Sequence, residues 1–307
     1  MKTKLLGRTG ISVSELCFGT MSFGGDADEA TSAEMYKAVR DAGINFFDCA
    51  NEYNKGKSEE ILGRLAKADR DDLVLTTKCF NPTGPDVNAR GSSRRHVVRA
   101  VEASLRRLQT DRIDLMQFHE VIRETDPERV FADGGAMEAA LEAQKAGKIR
   151  YIGFTGHKSP DIHLKMLATA SKHKFTFDAV QMPLNVMDAH FESFEKKVLP
   201  VLVQNDIGVL GMKPMGDHVI LESKTATPVE CLHYAMNLPT SVVITGCDSL
   251  PILQQALQAA RSFQPMNASE VSTLLAKTAK AAEAGKFELY KTSHHFDGTF
   301  ANPQWLG

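Results

Sequence analysis

Four ionisable residues stand where short apolar runs end or just beyond them. Asp48 closes NFFD, Lys78 closes VLTTK, His119 closes DLMQFH, and Tyr53 lies five residues past Asp48 in FDCANEY. A phenol beside an ammonium has its pKa lowered, because positive charge favours the phenolate. On that logic Lys78 acts on Tyr53, Asp48 holds and neutralises Lys78, and His119 hydrogen-bonds a substrate oxygen. Such a group gives a proton to an oxygen that is gaining negative charge. Reduction of a carbonyl fits the arrangement, with hydride coming from a nicotinamide. No Ser–His or Cys–His nucleophile–base pair can be argued from the sequence. Each residue also has an ordinary reading: Asp48 as a loop or cap residue, Tyr53 as packing, Lys78 as a solvated strand end, His119 as a satisfied core histidine. Against four coincidences stands their convergence, since three neighbouring strands would end in ionisable groups on one rim. Lys78 admits a second chemistry, as the nucleophile of a Schiff-base lyase.

These residues need elements to position them, and the chain supplies eight. Short β-rich runs at 16–18, 45–48, 73–78, 114–119, 149–155, 179–182, 208–212 and 242–245 alternate with amphipathic stretches. The runs are apolar throughout, as expected of parallel strands covered on both faces. The helical stretches are 32–42, 58–68, 92–108, 135–146, 161–172, 191–204, 227–236 and 251–260. In 92–108 the apolar Val97, Val98, Val101, Leu105 and Leu108 recur at helical spacing, while arginines fill the opposite face. Ala-Gly at 42–43 and 146–147 suits helix ends, because Gly accepts the left-handed conformation there. Eight βα units fit a closed (β/α)₈ TIM barrel of the α/β class. An open dinucleotide-binding sheet would carry GxGxxG after its first strand, and FGTMSFGG does not match that spacing. In a barrel, catalytic groups sit at the C-terminal ends of the strands, where Asp48, Lys78 and His119 fall.

Composition sets the outer limits. The 307 residues are 43% hydrophobic and 24% charged, with 36 basic and 38 acidic side chains and a net charge of −2. That balance gives no field for nucleic acid or an anionic membrane, so neither is expected as a partner. No apolar run approaches the roughly 18 residues of a membrane span. The N-terminal MKTKLLGRTGISVSE lacks the apolar centre of a signal peptide, and the expected location is cytoplasmic. Five cysteines with no CxxC spacing argue against disulfides or structural zinc, and no metal site is expected. Cys49 and Cys79 read as small buried packing residues, and His294-His295 as a surface pair.

The ordered set FGTM, FDCANEY with KSEEILGRLAK, TTK, GSSRRHVVRAVEASLRRLQTDRIDLMQFHE, IRYIGFTGH, VQMPLNVMD and GMKPMGD resembles the aldo-keto reductase superfamily. The resemblance covers nearly the whole chain to about residue 260. It implies a barrel that binds extended NADP(H), with Asp48, Tyr53, Lys78 and His119 as the catalytic tetrad and Tyr53 as the general acid. It further implies coenzyme contacts from Gly19, Thr20, Met21, Asp48, Thr155, His157, Gln181, Met212, Lys213, Met215, Gly246, Ser249 and Gln255. Three departures stand out. The strand-5 Ser-Asn of the family reads Thr155-Gly156-His157 here. The aromatic residue that often stacks on the nicotinamide is Met212, whose sulfur covers a ring less rigidly. The segment after strand 8 has no basic residue before Arg261 to grip a 2′-phosphate, and Asp248 would repel it. NADP(H) therefore remains the coenzyme that the resemblance implies, with NAD(H), or weak discrimination between the two, as the alternative.

The implied function is reduction of an aldehyde or ketone, a sugar or other small carbonyl compound, by a nicotinamide-dependent oxidoreductase. The alternative is a nucleotide-binding, redox-sensing interaction subunit with slow turnover, since some family members look like channel-associated subunits. The oligomeric state is left open. The barrel is expected to occupy 1–262, leaving 263–307 as an extension packed on it. That extension reads as a helix over 269–285 and a tail with Phe287, Tyr290, Phe296, Phe300 and Trp305. Part of this tail is expected to approach the barrel mouth and shape the substrate pocket.

Overall fold

The computed structural model describes residues 1–84, 86, 88–294 and 296–301; Trp305 and His295 lie outside the described residues. Eight parallel strands close into a barrel in chain order: β3 (Leu16–Gly19), β4 (Phe46–Asp48), β5 (Val74–Cys79), β6 (Ile113–Phe118), β7 (Ile149–Thr155), β8 (Ala179–Pro183), β9 (Gly208–Met212) and β10 (Val242–Gly246). β10 pairs with β3 to complete the ring. Ahead of it, β1 (Thr3–Leu5) and β2 (Ser12–Ser14) form an antiparallel hairpin that the sequence pattern does not announce, each strand being three residues long. Leu6 and Val13 from this hairpin region join the barrel's interior cluster.

Helices follow each strand. α1 (Glu29–Asp41), α2 (Lys57–Ala66) and α3 (Arg94–Arg107) come after β3, β4 and β5. α4 (Asp126–Val130) and α5 (Ala136–Lys145) follow β6, and α6 (Pro160–Lys172) follows β7. α7 (Phe194–Lys197) and α8 (Leu199–Gln204) follow β8, α9 (Val219–Glu222) and α10 (Pro228–Asn237) follow β9, and α11 (Leu250–Ser262) follows β10. In α3 the Ser93 side chain accepts from His96 N, and Val97, Ala100, Val101 and Leu105 are buried while Arg94, Arg95, Arg99 and Arg106 stay outside. α1 and α5 end against Gly43 and Gly147, at φ +79° and +75°, the left-handed geometry expected there. The single helix expected over 191–204 is two: Pro200 opens α8 and has no N–H to continue the α7 ladder. The helix expected over 269–285 stops at Thr278 in α12 (Ala268–Thr278), and Ala284, at φ 55°, sits in a separate 3₁₀ turn. Two short helices, α13 (Leu289–Thr292) and α14 (Gly298–Ala301), are the last elements among the described residues.

The interior packing explains the placement of the site. Phe46, Val74, Leu115, Ala179, Leu210 and Val242 belong to one buried cluster within the ring of strands. Side chains on one face of a strand repeat every second residue. Counting on from those six, the same face carries Asp48, Lys78, Gln117, Gln181, Met212 and Ile244 toward the C-terminal end. The apolar layer and the polar site are thus consecutive storeys of one barrel lumen. The other face, including Phe18, Phe47, Leu75, Met116 and Phe154, packs under the helices.

Candidate active site

Lys78 is the centre of the polar layer. Its ammonium donates to Asp48 Oδ2 at 2.7 Å, to the Cys49 carbonyl at 2.8 Å and to the Tyr53 hydroxyl at 3.2 Å. All three donor positions of the ammonium are used, which suits a side chain only 1% exposed. Tyr53 reaches it because Asn54 and Lys55, at φ 49° and 58°, turn the chain sharply after the β4 loop. Asn54 Nδ2 then donates to the Met21 and Phe23 carbonyls at 2.7 and 2.9 Å, tying the Tyr53 loop to the loop after β3. Thr20 is fixed in turn, donating from N and Oγ1 to the Asp48 carbonyl. His119 meets the Tyr53 ring edge-on, with centroids 6.3 Å apart. Its Nδ1 lies 3.2 Å from Glu52 Oε1 without hydrogen-bond alignment, and that same oxygen accepts from Asn81 at 2.7 Å.

The electrostatics differ from the simple expectation at one point. Burial raises the Tyr53 phenol above its ordinary pKa, and the Lys78 charge offsets only part of that rise. Desolvation of the phenolate outweighs one ammonium at 3.2 Å, so the group stays protonated at neutral pH. Burial opposes charge on Lys78, but Asp48 and Tyr53 hold its pKa above the ordinary lysine value. His119 is pushed well below the usual histidine range by burial and by the Lys78 charge. The arrangement therefore holds a neutral phenol, a charged ammonium and a neutral imidazole on one surface.

The remaining expected residues divide into groups. Gln181 is buried; its Oε1 accepts from Gln117 at 2.8 Å and its Nε2 donates to Met212 Sδ at 3.4 Å. Thr155, the last residue of β7, and His157 just beyond it are buried, and His157 Nε2 lies 3.6 Å from Glu120 Oε2. Burial pushes the Glu120 carboxyl up to about 8, with the Glu52 charge adding to it. Gly19, Gly246 and Ser249 border one corner, where Ser22 Oγ donates to the Cys247 carbonyl at 2.6 Å. Met21 is exposed beside them, and Gln255 is exposed further along α11. Met215 packs into a separate apolar cluster with Val186, Met187 and Phe287.

The C-terminal segment reaches the same end of the barrel. Lys291 is buried with Asp188 and Glu288, at 2.6 and 3.0 Å, and Tyr290 donates to Glu288 at 2.6 Å. Asn185, after β8, donates to the Tyr290 hydroxyl at 2.9 Å. Tyr290 and Phe296 both pack edge-on against His157, and Arg123, after β6, lies 3.5 Å from Asp297. Lys158 donates to the Ser293 carbonyl. Sequence reasoning missed Glu52, Gln117, Glu120 and the Asp188–Glu288–Lys291 cluster. Gln117 was findable, lying two residues before His119 and in phase with it; the ion cluster joins positions about a hundred apart and leaves no local signal.

A model of the Aldo/keto reductase family matches residues 15–231. The uncharacterized oxidoreductase YrpG of Bacillus subtilis is 35% identical over 229 residues, covering 70% of this chain and 67% of that protein. A probable voltage-gated potassium channel subunit beta of Arabidopsis thaliana is 31% identical over 224 residues, covering 72% of this chain and 66% of that one. Among solved structures, aldo-keto reductase AKR11C1 from Bacillus halodurans, in its holo form, superposes with a TM-score of 0.73 at 25% identity, covering 93% of this chain and 99% of that chain.

Proposed function

The chain belongs to the aldo/keto reductase family, and from that premise we propose that it reduces an aldehyde or ketone to the alcohol with Tyr53 as proton donor. The observation that carries this reading is the chain of contacts Asp48–Lys78–Tyr53 at 2.7 and 3.2 Å, buried at the end of the barrel lumen. A nicotinamide coenzyme, when bound, supplies the hydride that reaches the carbonyl carbon. The residues fit such a group. The Gln181 amide donates to a thioether, a weak acceptor that a carboxamide oxygen can replace. Ser249 caps α11 without using its side chain, leaving the hydroxyl and a 13-residue helix N-terminus for a phosphate.

The work of this chain is then proton transfer and charge. Tyr53 donates its hydroxyl proton to the carbonyl oxygen as negative charge builds there. The phenolate that remains faces the Lys78 ammonium, and it regains a proton from solvent at the mouth. Asp48 keeps that ammonium charged and aimed. His119, neutral, aligns the carbonyl beside Tyr53. Coenzyme choice favours NAD(H) at least as much as NADP(H): Asp248 is exposed beside Ser249 and has no cationic partner within 4.0 Å among the described residues. The contacts of Lys291, Tyr290 and Phe296 support 263–307 as an extension that packs on the 1–262 barrel and forms a wall of the substrate pocket.

A Schiff-base role for Lys78 is opposed by its pairing, because a nucleophilic amine needs a lowered pKa and this one is held up. The Arabidopsis relative keeps a channel-subunit role in view, but the assembled Tyr53–Lys78 contact favours turnover. Five free, buried cysteines support a cytoplasmic location. The test is direct. Purified protein with NADH or NADPH and a panel of aldehydes, ketones and sugars should consume reduced nicotinamide with some member. Coenzyme binding without turnover on any member would favour the sensing subunit, and a borohydride-trapped adduct on Lys78 the lyase.

A further inference from the structure

We propose that Gln117 is a positioning residue: across the gap that Gly153 leaves in the lumen, it donates to Gln181 Oε1 and so fixes that amide with its nitrogen toward Asp48 and the nicotinamide site. This deepens the reductase reading above and rests on it. Gln117 lies on β6 and Gln181 on β8, with β7 between them. The strand register sets Gln117 opposite Gly153, and Gly153 opposite Ala179, two residues before Gln181. By the alternation of β7, Gly153 faces the lumen with Tyr151 and Thr155. A Cβ at Gly153 would come within 2.6 Å of the Ala179 carbonyl oxygen and 3.3 Å of Leu115 Cδ1, so the place admits only glycine. Gln117 and Gln181 meet over it, Nε2 to Oε1, at 2.8 Å.

Both amides are buried, and the direction of each is dictated by its neighbours. An ionised carboxylate only accepts, so Gln181 meets Asp48 with its nitrogen. Burial raises the Asp48 carboxyl; the Lys78 charge and hydrogen bond oppose that rise first, and a hydrogen bond from Gln181 adds to them. The same nitrogen donates to Met212 Sδ at 3.4 Å. The Gln181 oxygen is thereby turned toward β6, where it needs a donor. Gln117 supplies one N–H to it and the other to Thr76 Oγ1, at 3.1 Å, while Gln117 Oε1 stays buried without a hydrogen-bond partner among the described residues. Reversing Gln117 would set oxygen against oxygen at Gln181. Reversing both amides would set the Gln181 oxygen against the Asp48 carboxylate. One orientation remains, and it offers the Gln181 nitrogen to a nicotinamide carboxamide oxygen in place of the weaker thioether. Without Gln117 the Gln181 oxygen loses its donor, and the amide is free to turn that oxygen toward the carboxamide oxygen.

The experiment uses the full chain and measures the Kd of NADH or NADPH, whichever binds the wild type more tightly, beside that of the matching ADP-ribose or 2′-phospho-ADP-ribose, which lacks the nicotinamide. Gln117→Met fills the lumen without a donor. It should weaken the coenzyme about three- to ten-fold, the worth of one neutral hydrogen bond, and leave the ADP-ribose compound within about two-fold. Gln181→Met should weaken the coenzyme at least as much. The double variant Gln117→Met/Gln181→Met should match Gln181→Met within about two-fold, because Gln117 acts through Gln181. Gln117→Leu, likewise without a donor, serves the same comparison if the methionine disturbs folding, which thermal unfolding reads. An unchanged coenzyme Kd in Gln117→Met and Gln117→Leu would overturn the proposal. So would an equal loss for the ADP-ribose compound, which marks general damage, or losses that multiply in the double variant. A wild-type chain that binds coenzyme but reduces no carbonyl would strike the reductase reading alone, since the affinities still decide the role of Gln117. A wild-type chain that binds neither coenzyme would overturn both.

Discussion

Replacing Lys78 with Met removes an ammonium that makes three hydrogen bonds in a site 1% exposed, and its consequences separate structure from chemistry. Asp48 is left as a buried carboxylate with its counterion gone. Breaking such a pair by removing one partner costs about 3–5 kcal/mol. For a chain of this size, at about 2–4 °C per kcal/mol, the melting temperature should fall by roughly 6–20 °C. Activity should fall as well, because the developing Tyr53 phenolate loses the charge 3.2 Å away; groups of this kind contribute about a hundred- to a thousand-fold. The double variant Asp48→Asn/Lys78→Met resolves the two effects. With no uncompensated charge, it should recover most of the lost melting temperature, yet it should recover none of the turnover. Thermal unfolding and reduced-nicotinamide consumption, measured on all three proteins, decide the matter. A single variant as stable as wild type would refute the burial argument, and turnover restored in the double variant would refute the role of the ammonium.

Other consequences follow from the same geometry. Asp248→Arg should shift the NADPH-to-NADH affinity ratio about ten-fold or more toward NADPH, read by nucleotide fluorescence; an unchanged ratio would place the adenosine ribose elsewhere. Lys291→Met leaves Asp188 and Glu288 buried against each other and should release the C-terminal segment. The KM values for carbonyl substrates should then change more than the coenzyme Kd, and equal changes would detach the segment from the substrate pocket. Glu120 has its folded pKa raised from the ordinary carboxyl range to about 8, so the folded state holds a proton that the unfolded state releases. Its contribution to stability is therefore lost as pH rises from about 4.5 to 8, by at most about 1.4 kcal/mol per pH unit. Glu120→Gln should flatten the melting-temperature profile across that window, and an unaltered slope would mean the carboxyl is ionised throughout.

The barrel was legible because its strands are short, uniformly apolar and separated by helices with clear caps. β7 and β9 fall on their expected ends, and the others shift by one residue at one or both ends. That Asp48, Tyr53, Lys78 and His119 lie together was legible for the same reason. A side chain in phase with an apolar lumen and at a strand's end can only point into the mouth, which fixes Asp48 and Lys78 before any distance is known. The hairpin of β1 and β2 was not legible, since its exposed residues carry no period that burial would impose. Neither was the sign of the Tyr53 shift. Spacing shows that an ammonium is near, but only the depth of the site shows that desolvation outweighs it. Long-range pairs such as Lys291–Asp188 escaped because a buried lysine and an exposed one are written with the same letter.

The central claim is that Tyr53 gives the proton, and Tyr53→Phe tests it most directly. The ring and its packing on His119 remain, while the hydroxyl that meets Lys78 is lost. Carbonyl reduction should fall by about a hundred-fold or more, the range of general acid catalysis, while coenzyme binding stays within about two-fold of wild type. Reduction at the wild-type rate by Tyr53→Phe would contradict the account.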